Sequence, residues 1–78
     1  MIDFDKIKEK AVEYANKFCK EEYEILEDDK EKYNCKEWYL IINLSQIYYN
    51  LMKNIYTREQ AKIKQKEEFE FAKLYFED

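Results

Sequence analysis

Trp38 to Met52 reads WYLIINLSQIYYNLM, fifteen residues without a charge in a chain of 78 in which 41% are charged. Spanning a bilayer takes about 20 apolar residues, and this shorter run is interrupted by Asn43, Ser45, Gln46 and Asn50. Wound as a helix, it puts Trp38, Ile41, Ile42, Tyr48, Met52 and Ile55 on one face. Leu40, Leu44, Ile47 and Leu51 form a second apolar face, and only Asn43, Gln46, Asn50 and Lys53 remain as a narrow polar strip. A helix that is apolar on nearly all sides is a buried one. The run is therefore expected to be the central element of the fold, touched from more than one direction.

Start signals place the rest around it. In YNCKEW, Asn34 can cap, Glu37 can reach back to close a capping box, and Tyr33 can staple onto Trp38. Upstream, Asp3 is an N-cap with Ile2 and Ile7 at the staple positions. Apolar residues follow at Ile7, Ala11, Tyr14, Phe18 and Ile25 with helical period. Downstream, Thr57 and Gln60 form a second box, with Tyr56 facing Ala61. The fold class is all-α: a single domain over 1–78, a three-helix bundle with helices at about 4–26, 35–54 and 58–76. Helix 3 should fold back sharply or bend away, because the connection from Asn54 to Tyr56 is short.

Gly and Pro are both absent, which favours helices joined by polar loops over tight hairpins and removes the Gly-rich phosphate loops. His is absent too, and with it the commonest general base and metal ligand. Ser45 and Thr57 have no base to activate them. Cys35, at a helix N-terminus beside Lys36, reads as a small residue tolerated in a first turn, and Cys19 and Cys35 as free thiols in a reducing compartment. The expectation is a non-enzymatic cytoplasmic protein with no cofactor, no metal site, no secretory signal and no membrane segment. Arg58, Lys62, Lys66 and Lys73 lie along one edge of helix 3, but Glu59, Glu67, Glu68 and Glu70 are interspersed, and the chain carries −4 overall. A solvated face stitched by i,i+4 pairs such as Lys66–Glu70 is expected there, with no direct nucleic-acid contact.

The sharper charge signal is negative. From Glu21 to Glu31, EEYEILEDDKE holds seven carboxylates and one Lys, a net of −6, so the rest of the chain is close to +2. Acids at a helix C-terminus oppose the helix dipole, so local stability does not account for them. Glu21, Glu22, Glu24, Glu27, Asp28, Asp29 and Glu31, flanked by Tyr23 and Tyr33, are the candidate partner-binding residues. Such a surface suits a groove lined with Lys and Arg on a protein that normally holds nucleic acid. Ile47, Tyr48 and Leu51, under the apolar-poor start of helix 3, are the candidate self-association residues of a homodimer.

Ile, Lys, Asn, Tyr and Phe make up half of the chain, and Lys outnumbers Arg 13 to 1. In this Gly-free, acidic, Tyr-rich composition the chain resembles small proteins encoded by phages and mobile elements of AT-rich bacteria, anti-CRISPR proteins among them. Tyr48–Ala72, YYNLMKNIYTREQAKIKQKEEFEFA, is similar in style to the helix-turn-helix hairpins of such proteins. What the resemblance implies is an inhibitor that binds a host or defence protein and blocks it. The alternatives are a self-associating structural or regulatory subunit and a helix-turn-helix regulator.

Overall fold

The computed structural model describes residues 3–22 and 30–75. Among them are three helices, α1 (Phe4–Cys19), α2 (Cys35–Met52) and α3 (Arg58–Tyr75), and no strand. Both α1 and α3 pack against α2, so the neutral run is the shared wall of the bundle. The molecule measures 35 × 32 × 15 Å along its principal axes, about two helix layers in its thin dimension.

The capping bonds form as expected at all three starts. The Asp3 carboxylate accepts from the Lys6 N–H at 3.2 Å. At α2 the Asn34 side chain accepts from the Glu37 N–H at 2.8 Å, while Glu37 accepts from the Asn34 N–H at 3.2 Å. At α3 the Gln60 N–H donates to Thr57 Oγ1 at 3.1 Å, and the Thr57 N–H donates to Gln60 Oε1 at 2.9 Å. These bonds satisfy amides that a helix start leaves unpaired.

The helix ends carry the main correction. α1 stops at Cys19, not near Leu26. Lys20 is the C-cap and Glu21 enters the left-handed region at φ 60°. The Glu22 N–H then returns to the Lys17 carbonyl at 2.9 Å and the Glu21 N–H to that of Phe18 at 3.1 Å, a Schellman closure made without glycine. α2 ends the same way, with Asn54 at φ 60°, the Ile55 N–H on the Asn50 carbonyl at 2.8 Å and the Asn54 N–H on that of Leu51 at 3.1 Å. Asparagine tolerates this conformation and glutamate does not, so the closure after α1 is the strained one. Ile2, Ile25, Leu26 and Phe76, also read as helical or stapling residues, lie outside the described residues.

The core joins Ile7, Ala11, Tyr14, Ala15 and Phe18 of α1 to Leu40, Ile41, Leu44, Ile47 and Tyr48 of α2, closed on the other side by Ala61 and Ala72 of α3. Ser45 is buried among them, its hydroxyl donating to the Ile41 carbonyl one turn back. Phe4 meets Phe69 edge-on at 5.2 Å, tying the start of α1 to α3. Pairs Tyr48–Gln65, Asn43–Glu68 and Tyr39–Phe71 step down α2 as they step up α3, so the two helices run antiparallel and the short connection folds back sharply. Met52 and Ile55, read as part of an apolar face, are exposed.

Candidate interaction surface

The acidic stretch begins where α1 ends. Because Glu21 turns the chain out of the helix, Glu21 and Glu22 stand on a connection, both exposed, and not as carboxylates spaced along a helix face. Glu31 is exposed at its other end. Tyr23, Glu24, Glu27, Asp28 and Asp29 lie outside the described residues.

Tyr33 links this stretch to the core. It is half-buried and stacks on Trp38 with ring centroids 6.2 Å apart and planes 26° from parallel. Trp38 in turn meets buried Tyr14 edge-on at 5.8 Å. The staple expected from sequence is thus an aromatic chain running from the acidic connection into the bundle. Beside it, Tyr33 and Glu37 face Asp3, Lys6, Lys10 and Glu13 of α1 across an open cleft of about 460 Å³. Its charges are mixed. Glu13 accepts from Lys10 at 3.1 Å and lies 3.5 Å from Lys17. The Lys10 hydrogen bond holds the Glu13 carboxyl below its ordinary pKa, against a smaller opposing effect of burial.

The expected self-association residues are placed differently. Ile47 and Tyr48 are buried and Leu51 is half-buried, under cover supplied by the chain itself. Part of it is polar. The Tyr48 hydroxyl donates to Gln65 Oε1 at 2.6 Å, and Asn43 Nδ2 donates to Glu68 at 3.4 Å. Burial pushes the Tyr48 phenol up to about 12, since its anion would have little water around it. Gln65 supplies cover where the apolar-poor start of helix 3 was expected to leave Tyr48 open, and periodicity counts of apolar residues pass over it.

The exposed apolar surface is elsewhere. Tyr39 of α2 and Phe71, Leu74 and Tyr75 of α3 are all exposed, with Phe71–Tyr75 and Tyr39–Phe71 ring centroids at 4.7 and 6.2 Å. Sequence reading missed this face. The available signal was Phe71, Leu74 and Tyr75 at i, i+3 and i+4, on a different side of α3 from Ala61, Gln65 and Ala72.

Among the described residues no group of three or more His, Cys, Asp or Glu side chains is placed to hold a metal, and no helix is long and apolar enough to cross a membrane. Cys19 and Cys35 are free thiols, the first half-buried and the second exposed. Along α3, Lys66 and Glu70 do not close the ion pair expected of them, whereas on α1 Glu13 pairs with Lys10 and Lys17. No protein-family model, curated protein or solved structure matches this chain.

Proposed function

We propose that the chain is a small acidic protein-binding module that occludes the nucleic-acid site of a basic partner, as an inhibitor of the anti-CRISPR type would. The observation that carries this reading is charge segregation: a net of −6 sits in the eleven residues Glu21–Glu31, against about +2 in all the others. The helix geometry supports it. The left-handed turn at Glu21 carries Glu21 and Glu22 out of the bundle, and Tyr33 is held at the other end of the stretch by Trp38. An acidic surface with a fixed aromatic ring beside it combines long-range attraction for Lys and Arg with the anchoring area that charge alone lacks. The α-helical core serves as the rigid mount.

The test is a fourfold neutralisation, Glu24→Gln, Glu27→Gln, Asp28→Asn and Asp29→Asn. Parent and variant are titrated against a panel of nucleic-acid-binding proteins at low and high salt. The parent is expected to capture at least one of them and to compete with its nucleic acid, with affinity falling as salt rises. The variant should bind more weakly and show a flatter salt dependence, while its helical content stays that of the parent. Equal binding by both proteins would move the interface off the acidic stretch.

A further inference from the structure

We infer that the outward face shared by Tyr39, Phe71, Leu74 and Tyr75 is a contact between two copies of this chain, an inference that stands on residues separate from the acidic stretch. Their exposures are 46, 40, 76 and 68%. At about 200 Å² for an aromatic side chain, the four leave roughly 400 Å² of contiguous apolar surface facing water. α3 already spends its inward side on α2 through Ala61, Gln65 and Ala72, so this is a second apolar side on a helix that the bundle uses only once. Surface helices ordinarily carry one.

Area and charge select the occupant. In a dimer whose interface core is about 65% apolar, 400 Å² of apolar surface per copy corresponds to roughly 1,200 Å² buried in total, the low end of specific association. The charged residues one and two turns before these four on their own helices are Lys36 on α2 and Lys64, Lys66, Glu67, Glu68 and Glu70 on α3, three of each sign. A strongly charged partner finds no steering there, whereas a second copy meets its own rim without net repulsion. The chain's excess of carboxylates lies in Glu21–Glu31, outside these four side chains and their rim. An isologous two-fold contact, in which the same four side chains meet their counterparts, satisfies these constraints and closes without leaving a free copy of the patch.

The experiment is light scattering or sedimentation on the full chain from micromolar to millimolar, at low and high salt, beside the double variant Leu74→Lys/Tyr75→Lys. The parent is expected to pass from monomer to dimer over this range, and added salt should not dissociate it. The variant should dimerise more than about tenfold more weakly. Both positions are exposed, so its melting midpoint at monomeric concentrations should equal the parent's; Tyr39→Lys serves as a second probe from α2. A parent that stays monomeric at every concentration overturns the inference and leaves the face to a different protein. A dimer of undiminished strength in Leu74→Lys/Tyr75→Lys overturns it too, by placing the contact elsewhere. Neither result bears on capture through the acidic stretch, which the salt-dependent titration reads independently.

Discussion

The two contacts made by α2 differ in kind. Against α1 it meets Ile7, Ala11, Tyr14, Ala15 and Phe18, a continuous buried stripe in which each large side chain is covered. Against α3 it meets only two fully covered residues, Ala61 and Ala72, with Phe69 partly buried and polar partners between them at Gln65 and Glu68. Burying a large apolar side chain stabilises by about 1.5–3 kcal/mol, and a typical hydrogen bond by a net 0.5–1.5 kcal/mol. The α1–α2 contact is therefore the strong half of the molecule. α3 is expected to open first, and it also carries the exposed side chains Phe71, Leu74 and Tyr75.

The largest expected effect strikes both halves together. Leu44 is fully buried in α2, and Leu44→Ala should cost about 2–5 kcal/mol in denaturant unfolding. In a domain of this size that is much of the total stability. A loss below about 1 kcal/mol would remove α2 from the centre.

The next effect belongs to the α2–α3 side. Tyr48 stays neutral in the folded protein up to about 12, whereas in the unfolded chain it ionises near its ordinary value of 10. Its contribution is fully present below pH 10 and is lost as pH rises towards 12, about 2–3 kcal/mol in all. Tyr48→Phe should flatten the fall of stability with pH across that window, at the cost of about 1 kcal/mol near neutrality for the lost bond to Gln65. An unchanged pH slope would mean that another group carries it.

The caps sharpen the comparison further. Asn34→Ala and Thr57→Ala each remove one capping bond and should each cost about 1 kcal/mol. Their effects on amide hydrogen exchange should differ. With Thr57→Ala, α3 should exchange faster while α1 stays protected; with Asn34→Ala, both flanking helices should loosen because α2 holds both. The smallest effect has the opposite sign. Glu21→Gly relieves a left-handed glutamate and should stabilise by about 0.5–1 kcal/mol, whereas Asn54→Gly should change little. A neutral result at Glu21 would show that the closure after α1 is relaxed.

Much of this was legible in the chain. Asn34–Glu37, Thr57–Gln60 and Tyr33–Trp38 were readable because a cap or a staple depends on residues three to five apart. The stripe Ile7–Ala11–Tyr14–Phe18 was readable because one helix face repeats every turn. The end of α1 was not. The apolar period continues to Ile25, and without glycine nothing in the letters marks the stop, so the left-handed turn at Glu21 appears only in the folded backbone. Nor was the polar cover of Tyr48 by Gln65 legible, since it joins residues 17 apart and depends on the crossing of α2 and α3.

By itself the sequence determined the helical class, the starts of the three helices, the central place of the uncharged run and the concentration of carboxylates in one short stretch. All of these are set by local hydrogen bonding, side-chain period and composition, which do not require knowing what lies across the gap. Only the tertiary structure decided which of the apolar sides of α3 turns inward. Ala61 and Ala72 let α3 approach α2, leaving Phe71, Leu74 and Tyr75 outside although they are the more hydrophobic residues. The physical reason is that burial follows the fit between surfaces at a crossing, and bulk at a given position can oppose that fit as readily as it rewards it.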